Sequence, residues 1–359
     1  MMATKSRLML LILFLIISGI RTTIYGQQLR EAFRKVHQAV VIVRTKEIDL
    51  PSSSNQAISI LDGLGSGVLI SADGKILTAA HMVQSADVAS VEFPDGQEII
   101  ARVISSDVRS DVALLQLKRV PTGIAPATLG DSNKLEVGDQ IFVIGAPYGI
   151  SQTLTAGHLS GRHCLNSNDE SSTSVEFLQT DAAVNGGSSG SPVFNLNGEV
   201  VGIVSRLMSR SGGSEGLAFA TASNTAKRFL LDRRPFWSGI DGLLVTGDLA
   251  KALNLPQPAG FLVQRVGDGS IGSSLGLNPG TLRATIQGTD VLLGGDVILS
   301  INEIQITAAS TADQVADVAS DDSYVRIYNC IGALKLGDNL VVKVLREGRV
   351  MNLSTTIER

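Results

Sequence analysis

Hydrolysing an acyl bond with a serine needs a hydroxyl beside an imidazole base, a carboxylate to orient that base, and backbone N–H groups to hold the developing oxyanion. The chain has four histidines, His37, His81, His158 and His163. His81 closes the apolar run 75-KILTAAH-81, flanked by the small residues Ala79 and Ala80. At the end of a strand an imidazole can face a cleft while its backbone stays fixed. Asp111 opens a second apolar run, 110-SDVALLQL-117. An acid at the edge of a core is partly desolvated and can grip an imidazole N–H. Ser189 lies in 185-NGGSSGSP-192. The glycines there permit the sharp turn that exposes a hydroxyl, and the N–H groups of Gly187 and Ser189 can converge on one spot.

These three residues need a rigid frame. From Val40 to about Ala220 the chain is a series of short apolar runs: 40-VVIVRT-45, 66-SGVLIS-71, 75-KILTAA-80, 112-VALLQL-117, 141-IFVIGA-146 and 198-GEVVGIVS-205. Asp73-Gly74, Asp95-Gly96 and Asn197-Gly198 punctuate them, and such pairs favour tight hairpins. Strands of this length and spacing predict an all-β sandwich or barrel. The polar stretches 47-EIDLPSSSNQ-56 and 163-HCLNSNDESSTS-174 read as loops. A helix is expected over 27–36. Another is expected from about Ser223 to Asp232, capped by Asn224. The Pro-containing joint 233-RRPFW-237 marks a domain boundary. Beyond it, strands are expected at 261–266, 296–301, 340–345 and 350–357, with short helices at 247–253 and 310–320.

Composition narrows the function classes. A chain of 359 residues suits two domains. Hydrophobic residues at 44% and charged residues at 18% support a packed core. A net charge of -4 with scattered Lys and Arg argues against nucleic-acid binding. Two cysteines, Cys164 and Cys330, fall in different domains, so a disulfide framework and a Cys-rich zinc site are excluded. Two unpaired thiols are the expectation, an interdomain bridge the alternative. The chemistry asks for no metal and no cofactor. At the N-terminus, Lys5 and Arg7 precede the apolar run Leu8–Ile20, shorter than the roughly 20 residues of a membrane span. A signal peptide over 1–26, cleaved after Gly26, is expected. The alternative is an uncleaved anchor, which would associate the protein with the membrane. Either places the protein outside the cytoplasm, in the periplasm or secreted.

The order His, Asp, Ser within an all-β region belongs to the chymotrypsin architecture; subtilisin-like and α/β-hydrolase enzymes use other orders. The segments 64-LGSGVLISADGKILTAAHMV-83, 106-SDVRSDVALLQL-117, 129-LGDSNKLEVGDQIFVIGAPYG-149 and 179-QTDAAVNGGSSGSPVFNLNGEVVGI-203 resemble the HtrA/Deg family of trypsin-like serine proteases. The resemblance implies a double β-barrel over 40–233, after an N-terminal helical segment at 27–39. It gives His81 as general base, Asp111 as its orienter and Ser189 as nucleophile, with the Gly187 and Ser189 amides as oxyanion hole. The loop departs from the family's usual N-P-G-N-S-G-G-P at two places. Gly186 replaces the proline, which loosens the loop, and Ser191 replaces a glycine, which could alter the turn. The expected substrate pocket comprises Ala183, six positions before the nucleophile, with Val204, Ser205, Leu217 and Ala218. Without a carboxylate at 183 it should take small or medium aliphatic residues.

Residues 236–359 resemble a PDZ domain through 237-WSGIDGLLV-245, 249-LAKALNLPQPAGFLVQRV-266, 293-LGGDVILSINEIQI-306 and 336-LGDNLVVKVLREG-348. The likeness implies an α+β domain that binds a peptide as an added strand and holds its carboxylate on the loop Trp237, Ser238, Gly239 and Ile240. Ser238 stands where the family often has a large apolar residue, and 281-TLRATIQGTDVL-292 is an insertion. The family further implies unfolded or damaged proteins as substrates and a homotrimer or a multiple of one. Competing readings are a non-catalytic peptide-binding scaffold and a signalling protease with one partner.

Overall fold

The computed structural model describes residues 26–49, 59–165, 174–286, 289–307, 327, 330–331 and 333–358. The expected leader and the expected helix at 310–320 lie outside them, as does most of each polar loop. No helix among the described residues is long and apolar enough to cross a membrane.

Six strands close the first barrel: β1 (Val40–Asp49), β2 (Ser59–Leu69), β3 (Lys75–Thr78), β4 (Val88–Glu92), β5 (Glu98–Asp107) and β6 (Val112–Leu117), in the order β1-β2-β3-β6-β5-β4. Branched apolar residues fill it: Val43, Val68, Ile76, Leu77, Val91 and Leu115 are wholly buried. Each such side chain contributes about 1.5–3 kcal/mol on leaving water. The Asp73-Gly74 and Asp95-Gly96 pairs make the β2–β3 and β4–β5 turns, each with a left-handed glycine.

The second barrel uses β8 (Gln140–Gly145), β9 (Thr153–Leu165), β10 (Val175–Thr180), β11 (Pro192–Asn195), β12 (Glu199–Leu207) and β13 (Ala218–Ala222). They run β11-β8-β9-β10-β13-β12, and pairing of β11 with β12 closes the ring. The short β7 (Thr128–Leu129) joins β12 in parallel. The two barrels share a core in which Phe142 and Phe194 stack at 5.2 Å. Helix α1 (26–36) buries Ala32 and Val36, and Lys35 bonds the Asn197 carbonyl at the β11–β12 turn.

Helix α2 (Ser223–Leu230) closes the second barrel and sets Phe229 against Val175 and Phe177. Asn224 does not cap it. The N-cap is Ala222, the Asn224 side chain donates to Asp131, and Ser132 Oγ, from another segment, accepts the Asn224 N–H. Residues 163–165, expected in a loop, extend β9 instead, with His163 opposite Phe177. A long β9 satisfies their backbone groups by pairing with β10.

The C-terminal part is a five-stranded antiparallel sheet, with a short sixth strand paired at one side. Its strands are β14 (Ile240–Thr246), β15 (Ala259–Val266), β18 (Val297–Ile301), β20 (Asn339–Arg346) and β21 (Arg349–Thr356), in that order across the sheet. Short helices α3 (Gly247–Ala252) and α4 (Ile271–Ser274) flank it. The insertion folds as a separate hairpin, β16 (Leu282–Ile286) with β17 (Thr289–Leu293), and β19 (Ile304–Gln305) pairs with β18. Cys164 and Cys330 are both free.

Candidate active site

His81 does not end its strand. Strand β3 stops at Thr78, buried Ala79 and Ala80 follow, and the imidazole sits on a single 3₁₀ turn, Ala80–Met82. The small residues let the turn lie against the barrel, so the ring projects over its end. Asp111 likewise stands before β6 rather than in it, with a left-handed backbone at φ 52°. That conformation is unusual outside glycine, though Asp tolerates it. Neighbours on both sides hold it there. Asp107 Oδ1 accepts the Ser110 N–H at 2.7 Å and its hydroxyl at 2.6 Å, while Thr221 Oγ1 donates to the Ser110 carbonyl.

The result is a clamped carboxylate. His81 Nδ1 lies 2.9 Å from both Asp111 oxygens, and Oδ1 also accepts the His81 backbone N–H at 3.0 Å. Ser205 Oγ donates to Oδ2 at 2.6 Å. With Nδ1 donating to the acid, the ring presents Nε2 as its free basic nitrogen. Burial works to lower the His81 pKa, but the hydrogen bond and the negative charge of Asp111 outweigh it and hold the imidazole above its ordinary value. Burial drives the carboxyl of Asp107 up, against its bonds to Ser110 and the charges of Arg109 and Arg233.

Ser189 comes from a tight loop between β10 and β11. The Ser188 N–H donates to Asn185 O at 2.9 Å, the Gly190 N–H to Val204 O at 2.8 Å, and the Ser191 N–H to Ser188 O at 3.0 Å. Gly187 and Gly190 are left-handed, at φ 93° and 82°. A Cβ at Gly187 would collide with the Ala146 carbonyl, so only glycine fits. Ser191 needs no such freedom, and the turn accommodates it. Its side chain occupies the space beside Gly145, and its buried hydroxyl has no hydrogen-bond partner among the described residues. A Cβ at Gly186 would meet nothing within 4 Å.

His81, Asp111 and Ser189 line one open cavity of about 590 Å³ at the barrel junction. Val184, Val204, Ser205 and Leu207 form much of its wall. Of the expected pocket residues, Val204 and Ser205 stand there, and Ser205 also braces Asp111. Ala183 is exposed, its carbonyl bonded by Thr155, while Ala218 opens β13 and Leu217 precedes it, both outside the wall. Val184, the next residue after Ala183, is buried and lines the cavity in its place.

The loop Trp237–Ile240 faces the first barrel. Gln84, three residues after His81, donates to Ser238 Oγ at 2.7 Å and to the Ile240 carbonyl at 3.1 Å; Trp237 Nε1 donates to the Gln84 carbonyl at 2.9 Å. Local sequence carried no sign of Gln84, whose partner Ser238 lies 154 residues away.

Two joined barrels carrying an imidazole–carboxylate pair beside a serine loop define a trypsin-like peptidase, and the family model described as a trypsin-like peptidase domain matches residues 65–203. The relatives narrow this further. A DegP-like periplasmic serine endoprotease of Pseudomonas putida is 36% identical over 302 residues, covering 82% of this chain and 55% of that protein. The periplasmic pH-dependent serine endoprotease DegQ of Escherichia coli is 36% identical over 346 residues, 94% of this chain and 66% of that one. A solved HtrA-type protease, a serine-to-alanine variant of AlgW determined with a decapeptide, superposes with a TM-score of 0.51 at 28% identity, covering 92% of this chain and 96% of that one. The chain belongs to the HtrA/Deg family. It spans little more than half the length of the P. putida relative and about two thirds of the E. coli one.

Proposed function

We propose that this chain is an extracytoplasmic serine endopeptidase that degrades unfolded or damaged proteins, with a PDZ domain over 236–359 that binds peptides. Ser189 Oγ attacks the scissile carbonyl while His81 Nε2 takes its proton. Asp111 holds the Nδ1–H tautomer and stabilises the imidazolium, and the Gly187 and Ser189 amides hold the oxyanion. His81 then returns the proton to the leaving amine, and water releases the acyl group by the same base. The observation that carries this reading is His81 Nδ1 at 2.9 Å from both oxygens of Asp111, on the wall that Ser189 shares.

Val184, Val204 and Leu207 on that wall favour cleavage after Val, Ala or Ile. The PDZ reading draws support from β14, which pairs with β15 alone among the described strands, beside an apolar cavity of about 210 Å³ lined by Ile240, Leu244, Phe261 and Ile298. The relatives' printed names support a periplasmic site of action, and the family a homotrimer or a multiple of one. A fluorophosphonate probe should label the wild type and not Ser189→Ala. Absence of labelling in the wild type would leave the non-catalytic scaffold as the better reading. Digestion of an unfolded casein-like substrate against a folded one tests the substrate class.

A further inference from the structure

The N–H and the hydroxyl of Ser66, a fully buried residue of β2, are engaged by the loops around Ser189. Its N–H donates to the Ser189 carbonyl at 2.7 Å. Its hydroxyl donates to the Gly187 carbonyl at 2.9 Å and accepts the Ala146 N–H at 3.0 Å. Its carbonyl accepts from Thr78 Oγ1 at 2.7 Å. One residue of the first barrel therefore grips both residues whose amides serve the oxyanion in the reading above.

The geometry around Gly187 gives these bonds their meaning. In a trans peptide the C=O and the N–H lie in one plane and point in opposite directions. The Gly187 N–H belongs to the peptide whose carbonyl, that of Gly186, accepts the Tyr148 N–H at 2.8 Å. That bond sets the direction of the Gly187 N–H. The next peptide is held at both ends, by Ser66 Oγ on the Gly187 carbonyl and by the Ser188 N–H on the Asn185 carbonyl. Between the two lies a left-handed glycine, the residue with the least resistance to rotation. The same Ser66 hydroxyl, through the Ala146 N–H, also anchors the start of the Pro147–Gly149 turn that delivers Tyr148. A hydroxyl has one proton to donate and lone pairs to accept, and both functions are used here on the two clamps.

We infer that Ser66 Oγ is a positioning residue for catalysis: it holds the peptide after Gly187 directly and anchors the turn that clamps the peptide before it, and so aims the Gly187 amide at the substrate's oxyanion. The inference rests on the peptidase reading of Ser189. Without the hydroxyl, the Gly187 carbonyl and the Ala146 N–H lose a buried partner, and the peptide after Gly187 keeps only its bond from the Ser188 N–H to Asn185.

The test compares wild type, Ser66→Ala and Ser66→Cys, with Ser189→Ala as the blank, on a peptide substrate and a fluorophosphonate probe. A single oxyanion donor is worth roughly 100- to 1,000-fold in kcat, so a misaimed one should cost about 10- to 100-fold. Ser66→Ala should lose this much in kcat and in labelling rate, with KM within about twofold of wild type. The acid limb of the pH profile should not move, because His81 and Asp111 are untouched. Ser66→Cys, with similar volume and a weak donor, should fall between the two, and it carries the test if the alanine variant does not fold. Wild-type kcat in either variant overturns the inference, even if the melting temperature drops. So does a loss accompanied by a shifted acid limb, which would place the damage at the triad. If the wild type itself is not labelled above the Ser189→Ala blank, the peptidase reading falls, and this inference with it.

Discussion

At the scale of single residues, protonation and one orphaned hydroxyl have measurable consequences. The Asp111 carboxylate holds the His81 imidazole above its ordinary pKa, despite burial. A raised histidine keeps its proton to higher pH, and a general base must be neutral. Activity should therefore fall as pH drops through a midpoint above about 6.5. Measured as kcat/KM against pH, Asp111→Asn should move that midpoint down and cut kcat by about 10⁴. A midpoint unchanged in the variant would mean that the carboxylate does not govern the ring. Ser191 offers the opposite case. Its hydroxyl is buried in the Ser189 loop without a partner among the described residues, and an unmet buried polar group costs about 1–3 kcal/mol. Ser191→Ala should raise stability by about 1 kcal/mol in denaturant unfolding. A loss of stability would show that the hydroxyl has a partner in solution.

At the scale of elements, the sequence was most legible where structure depends on neighbours along the chain. The Asp-Gly and Asn-Gly pairs marked the hairpins because a tight turn demands a left-handed residue at that spot. The apolar runs marked the strands, since each must fill a barrel from one face. Legibility failed where geometry depends on distant partners. His81 was expected to end β3 and sits on a separate turn. Asp111 reaches it through a left-handed backbone that Asp107 and Thr221 support. Asn224 was expected to cap α2, but Ser132 from another segment accepts its N–H. Ser205 was legible as a pocket residue and not as a brace, because Asp111 lies 94 positions earlier. The Ser66–Gly187 bond spans 121 positions. No local pattern announces such pairs; only closing both barrels brings them together.

At the scale of the whole molecule, the joint between the two parts is itself structured. The Ser106 N–H donates to the Phe236 carbonyl at 2.9 Å, the Phe236 N–H to Ser105 Oγ at 3.3 Å, and Ser106 Oγ to Gln84 Oε1 at 2.7 Å. Two side-chain bonds run from Gln84 to the Trp237–Ile240 loop, each worth about 1 kcal/mol. Gln84→Ala should speed trypsin cleavage after Arg233 by about tenfold, read from the rate of fragment appearance. An unchanged rate would mean that the Phe236 and Trp237 bonds suffice to hold the joint.

Phe236 thus prolongs the edge of β5 as a borrowed rung, one residue short of the loop assigned to carboxylate capture. A protease body excised at residue 233 would surrender that rung. Ser105, Ser106 and Gln84 would all lose partners at once, on the strand leading into Asp107 and Asp111 and on the turn that follows His81. The activity of such a fragment would report an altered enzyme, so the two halves of this chain are separable on paper more readily than at the bench.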